Sequence, residues 1–227
     1  MNVISVNQFS LDKLDKNVFL RFGCVGILLL LLGWTQQLYA APPKGYILHI
    51  ELSPAVCKID PLQKRTRQCL EGYSLTVLGL FPEGVEINNC ETSSSATLSP
   101  VQRRVVMRLI PDEAAQARLW RSVGGCVSMN ASQYFRKLVT YAEQLKVPPE
   151  VTSLTTIKVS RSKLENRFYQ MNSGLNQSSL KLTCAGSGRA AVLTDVKICY
   201  RTNGQYQACH IQHTTNCPSN MLIQGSY

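Results

Sequence analysis

From Tyr46 the chain alternates. Tyr46, Leu48, Ile50 and Leu52 fall on one side, and Ile47, His49 and Glu51 on the other, so a half-buried strand is predicted over residues 46–53. A basic loop, 54–70, follows with Cys57 and Cys69 in it. A second apolar strand is predicted over 73–81, stopped by Pro82-Glu83-Gly84. After a Ser/Thr-rich loop, Ser99-Pro100 reads as a cap followed by proline and starts a helix through Ile110. Pro111-Asp112 starts another through Trp120. Asn130 or Ser132 caps a longer one, in which Tyr134, Leu138, Tyr141 and Leu145 recur at helical spacing before Pro148-Pro149. Ser160 is read as the cap of a helix through Met171, ending near Gly174. Strands are predicted over 179–184 and 191–200, with Asn203-Gly204 as a tight turn. No repeat and no long linker divides the chain. The pattern is one α+β domain, with helices inserted between early and late strands.

Residues 1–40 read differently. Lys13, Lys16 and Arg21 precede an apolar run from Phe22 to Trp34, 13 residues long. A bilayer needs about 20 such residues. Leu38-Tyr39-Ala40 places a small residue at a cleavage point, and Pro42 discourages cleavage one residue later. The segment is read as a secretory signal peptide, leaving a domain over 41–227; an uncleaved anchor is the alternative. With 44% apolar and 17% charged residues over its 227 positions, the chain has a globular composition. Its formal charge is +10, or +9 once residues 1–40 are removed. Cys24 leaves with that segment. An even set remains: Cys57, Cys69, Cys90, Cys126, Cys184, Cys199, Cys209 and Cys217. In an exported chain this reads as a disulfide framework whose pairing spacing cannot choose. No Cys-x-x-Cys pair supports zinc, and no metal or cofactor is expected. The composition excludes a disordered tail, a polytopic membrane protein and an ordinary cytosolic enzyme. A periplasmic or secreted location is expected.

Several segments carry a resemblance. Tyr46 to Cys57 looks like the first strand and first cysteine of the ribonuclease T2 family. Leu75-Thr76-Val77-Leu78-Gly79-Leu80-Phe81-Pro82 resembles that family's first active-site segment, usually Phe-Thr-Ile-His-Gly-Leu-Trp-Pro. Arg118-Leu119-Trp120-Arg121-Ser122-Val123-Gly124-Gly125-Cys126 resembles the second, usually His-Glu-Trp-x-Lys-His-Gly-Thr-Cys. Tyr134-Phe135, Leu180 to Cys184 and Val196 to Cys199 match later segments. The resemblance is strongest to the bacterial, periplasmic members and spans most of 45–217. It implies a ribonuclease T2-like fold, a central antiparallel sheet with several packed helices. It also implies the bridges Cys57–Cys69, Cys90–Cys126, Cys184–Cys217 and Cys199–Cys209.

The departures fall on the chemistry. Members of the family cleave RNA through its own 2′-hydroxyl, with one histidine as base, another as acid, and Glu and Lys stabilising the phosphorane. By the resemblance, Leu78 and Val123 stand at the two histidine positions. Leu119 stands at the glutamate, Ser122 at the lysine and Arg118 at the auxiliary histidine. Leu and Val cannot titrate, and each lost acid–base partner is worth about 10²–10⁴ in rate. The expectation is a member without its catalytic histidines. Leu119 and Val123, four apart, share a helical face, and Leu78 is expected opposite. The former cleft has then filled into the core or become a dry pocket for a partner's side chain; phosphate binding at Arg118 is a weaker reading.

Other candidates stand beside these. His49 and Glu51 share a strand face and are read as a relocated acid–base pair or as a polar surface. His49, Glu51, Phe81, Arg118 and Trp120 are the binding candidates. His210 and His213 lie between Cys209 and Cys217, in a polar loop or a metal site. Arg104 and Arg108, and Lys163 and Arg167, form i, i+4 basic stripes that suit RNA, an anionic surface or an acidic protein. Ala185 to Gly188 reads as a turn, and the sequons at Asn130 and Asn176 matter only in a eukaryotic secretory pathway. Three function classes remain: binding of RNA or of a protein partner by a monomeric pseudoenzyme, weak endoribonuclease activity at a relocated site, and a purely structural or inhibitory role, such as binding a true ribonuclease or competing for its substrate.

Overall fold

A computed structural model describes residues 42–86, 89–210 and 214–226. The signal peptide expected over 1–40, and His213, lie outside them. Six strands form one sheet: β1 (Gly45–Leu52), β2 (Leu75–Glu83), β3 (Ile157–Ser160), β4 (Leu180–Ala185), β5 (Val192–Arg201) and β6 (Asn220–Ile223). Six helices accompany them: α1 (Ser53–Ile59), α2 (Arg67–Leu70), α3 (Pro100–Met107), α4 (Glu113–Val123), α5 (Ala131–Gln144) and α6 (Arg161–Met171). The strand order is β2-β1-β5-β6-β3, with β4 also paired to β5. The strand pairs are antiparallel, as expected of the central sheet, except for one parallel pairing of β5 with β6 that makes the sheet mixed.

The caps follow the sequence. Ser99 accepts from the Gln102 N–H, Asp112 from Ala114, and Asn130 forms a reciprocal capping box with Gln133. Ser160 is different. It ends β3, and its hydroxyl bonds Ser162 rather than the helix backbone. The loop expected over 54–70 is largely helical, because Pro54 starts α1 at its first turn. Pro82 does not stop β2. This is an edge strand, where a missing N–H is tolerated, and Pro82 still pairs with Tyr46.

The two sheet faces differ. Tyr46, Leu48 and Ile50 of β1 join Val196, Ile198 and Tyr200 of β5 under Tyr134, Phe135, Leu138 and Tyr141 of α5. The opposite face carries buried Ile47 with the partly exposed His49 and Glu51 of β1 and Asp195 and Lys197 of β5, in register. The four bridges implied by the resemblance are all present: Cys57–Cys69, Cys90–Cys126, Cys184–Cys217 and Cys199–Cys209. Their number fits an oxidising, extracellular setting.

Candidate functional site

β1 and β2 lose register between His49 and Ile50. His49 pairs with Gly79 and Ile50 with Val77, so Leu78 is the unpaired residue of a bulge. A bulge turns its extra side chain out of the regular alternation, and Leu78 is 37% exposed. The backbone around it is held from outside the sheet. Val77 N–H donates to the Leu109 carbonyl (2.8 Å). Tyr134 Oη accepts from the Leu80 N–H (3.2 Å) and donates to the Leu80 carbonyl (3.0 Å). Burial pushes the Tyr134 phenol far up, so it stays a neutral donor.

Leu119 covers the bulge from α4. A Cβ at Gly79 would lie 2.5 Å from Leu119 Cδ1 and 3.0 Å from the Phe81 ring, so any larger residue there would have to push Leu119 aside. Leu119 (6% exposed) and Val123 (2%) belong to the main core. Two of the three apolar residues are thus core residues, as the filled-cleft reading has it, while Leu78 stays partly exposed. The binding candidate Trp120 is also buried, and its indole N–H donates to the Ser94 carbonyl and hydroxyl (3.1 Å each). Cys90–Cys126 closes this corner, where the Thr92 N–H donates to the Arg121 carbonyl (2.9 Å). The outer side of α4 is polar. Arg118 reaches Asp112 (3.4 Å), Ser122 Oγ donates back to the Leu119 carbonyl (2.8 Å), and both line a small recess with Glu91, Thr92 and Arg121.

The open sheet face holds the better-formed group. His49 Nε2 lies 2.7 Å from Asp195 Oδ1, with side chains 20% and 18% exposed. This pairing corrects the His49–Glu51 reading. Antiparallel register sets Glu51 opposite Asp195 and Lys197 opposite His49, and His49 reaches diagonally to the aspartate. The Thr194 hydroxyl donates to Asp195 Oδ2 (2.7 Å). Burial opposes ionisation of Asp195. The hydrogen bonds from His49 and Thr194, with the charges of His49 and Lys197, outweigh it and hold the carboxyl below its ordinary value. Glu51 goes the other way: burial first, then the Asp195 charge, lifts its carboxyl, against a hydrogen bond from Thr76.

Beside the pair opens a pocket of 540 Å³, walled by Ile47, Phe81, Pro82 and Val85, with His49, Lys197, Glu83, Glu86 and His210 as its polar groups. That volume and mixture suit a small ligand or one unit of a polymer. Glu83 fastens its rim, accepting from Gln207 Nε2 (2.9 Å) and from the His210 N–H. His210 is thus a rim residue of a fastened loop. No cluster of three metal-ligating side chains occurs among the described residues. Asp195, Lys197 and Glu83 escaped the sequence reading. A Thr-Asp-Val-Lys run inside an otherwise apolar strand was the signal for the first two.

No family model matches the sequence, and no curated protein matches it. Solved structures do. Ribonuclease MC1 from bitter gourd seeds superposes with a TM-score of 0.60 at 18% identity, over 78% of this chain and 98% of its own. The SF11-RNase of Nicotiana alata, associated with gametophytic self-incompatibility, gives 0.61 at 13%, over 79% and 98%. An RNase-related protein from Calystegia sepium gives 0.57 at 15%, over 81% and 98%. Ribonuclease MC1 and the SF11-RNase are T2 ribonucleases, and the fold of this chain is T2 ribonuclease-like. At such identities the likeness defines the fold alone.

Proposed function

We propose that this protein is an exported, periplasmic or secreted, ribonuclease T2-like monomer that binds RNA without the family's two-histidine reaction. The observation that carries this is the burial of Leu119 and Val123 in the core at the positions the resemblance gives to catalytic side chains. Neither residue titrates, and both are packed in the core. The same packing disfavours a protein partner whose side chain enters an apolar cleft there. RNA is favoured by the basic excess, +9 once residues 1–40 are removed. Arg104, Arg108, Arg136 and Lys163 make no ion pair among the described residues. It is favoured also by the open pocket, whose lining includes both an aromatic ring, Phe81, and a cation, Lys197.

The test is a binding titration of labelled single-stranded RNA against purified, oxidised protein. With about six phosphates contacted, affinity falls about 10³-fold between about 50 and 200 mM salt. Absence of binding at low salt refutes the reading. A salt-tolerant protein complex that Leu119→Asp abolishes turns it toward the protein alternative. A second reading, ribonuclease activity at a relocated site, is favoured by one specific pair of side chains.

A further inference from the structure

We propose that the loop between β1 and β2, clipped by Cys57–Cys69, is a tip that docks on an anionic phospholipid surface. It shares no residue with the pocket on the open sheet face, and the proposal goes beyond RNA binding. Six large apolar side chains are exposed among the described residues, and three of them fall in this one loop. Leu62 is 85% exposed, Leu70 73% and Ile59 48%. Single exposed leucines are ordinary, but a group of them marks a surface with a partner.

The loop is fastened, so it does not fold back over these side chains. α1 is anchored by buried Ser53 and Ala55, and the Ser53 hydroxyl lies 3.2 Å from that of Thr76. A single helical turn, Gln63–Arg65, and α2 follow, each packed on the others and on α1. Cys57–Cys69 closes the loop. Arg67 Nη1 donates to the Pro111 carbonyl (3.2 Å), and Lys58 Nζ donates to Gln224 Oε1 (2.9 Å). At the tip the Leu62 N–H donates to Asp60 Oδ1 (2.9 Å), and the Thr66 hydroxyl donates to the Gln63 carbonyl (2.6 Å). The apolar side chains are thus presented by a backbone already ordered, which lowers the entropy cost of docking. The carboxyl-terminal segment extends the surface. Gln224 meets Lys58, and the Gly225 N–H donates to Thr156 Oγ1 (3.2 Å), beside Leu154, a fourth exposed apolar residue.

Charge and shape choose the occupant. The loop carries Lys58, Lys64, Arg65 and Arg67 against Asp60 and Glu71. Arg67 is engaged by Glu71 (2.5 Å). Lys64 and Arg65, just after Leu62, are exposed and make no ion pair among the described residues. An apolar tip beside unpaired cations complements the acyl boundary and the anionic headgroups of a bilayer. Aliphatic side chains offer bases nothing to stack on, which disfavours RNA here. Residues 54–72 include no aromatic, whereas protein hot spots are rich in Trp and Tyr. The recess beside Cys57–Cys69 takes in none of the three apolar residues, so they stand out from the surface and do not line that hollow.

The experiment is co-sedimentation of the exported, oxidised protein with vesicles of phosphatidylcholine, alone or mixed with phosphatidylglycerol. Expected is binding to the mixed vesicles only, weakened by salt. Lys64→Gln with Arg65→Gln should weaken it about 20-fold, at about fivefold for each cation. Leu62→Ser should weaken it about tenfold, and Val101→Ser, an exposed apolar residue of α3, should leave it unchanged. These positions are exposed, so the variants keep the fold, and an unchanged Tm checks this. Leu62→Trp adds an emission that shifts to the blue on the mixed vesicles. No binding to those vesicles overturns the proposal. Binding that Leu62→Ser leaves intact, or a Leu62→Trp emission that does not shift, reduces it to surface charge and overturns the docking tip. Self-association that Leu62→Ser abolishes, without vesicle binding, assigns the patch to a second copy of the chain and overturns it likewise.

Discussion

Returning histidines to the T2 positions should succeed at one site and fail at the other. Leu78 is the outward residue of a bulge, so Leu78→His moves a partly exposed side chain and should change stability by about 0.5 kcal/mol. Val123 is 2% exposed in the core. Val123→His there forfeits about 1.5 kcal/mol of apolar burial. It also encloses an imidazole without a designed partner, at about 1–3 kcal/mol. The larger ring overpacks its surroundings as well, so the sum is about 4 kcal/mol. Urea denaturation of the oxidised proteins reads this directly: with a slope of about 2 kcal/mol per molar, the Val123→His midpoint drops by about 2 M. The double variant should then be no better a ribonuclease than the wild type, because the second histidine has no cleft to face. A Val123→His midpoint within about 0.5 M of wild type would refute the claim that this corner is packed shut.

Tyr134→Phe removes the group that satisfies both the N–H and the carbonyl of Leu80, and should cost about 1–3 kcal/mol in the same assay. Glu51 and Asp195 should give opposite pH signatures. The raised Glu51 carboxyl costs stability where it is ionised in the fold, and that cost vanishes as pH falls below the ordinary carboxylate range. Glu51→Gln should therefore raise Tm at pH 7 and leave it unchanged at pH 3. The depressed Asp195 carboxyl contributes stability above its ordinary value, lost as pH falls through its lowered one. Asp195→Asn should lower Tm at pH 7 and lose that effect in strong acid.

The strands and caps were legible because their signals are local. Alternation gave β1, and Ser99-Pro100, Asp112 and Asn130 gave three helix starts. β3 and β6 were not legible, since each is four residues long and finds its main partner in the other, more than 60 residues away. The bulge at Leu78 was equally hidden. It arises from pairing with His49, and a pairing shift leaves no mark in periodicity. The same holds for the site. Leu119 and Val123 were recognisable as apolar replacements through the resemblance, but only packing shows that they fill space and that Leu78 does not. His49 was singled out with the wrong partner, Glu51, because intrastrand spacing is visible and the diagonal to Asp195 across 146 residues is not.

That separation bears on how the chain reaches its destination. β1 is the first strand described, yet one of its two neighbours, β5, is among the last pieces synthesised. Until then β1 has one open edge, the sheet has no centre, and Cys199 and Cys217 have not yet joined their partners. A topology dominated by such distant pairings closes late and slowly. An emerging chain of this kind has few native contacts to hold it until its last third is made, and the Cys184–Cys217 and Cys199–Cys209 bridges can close only then.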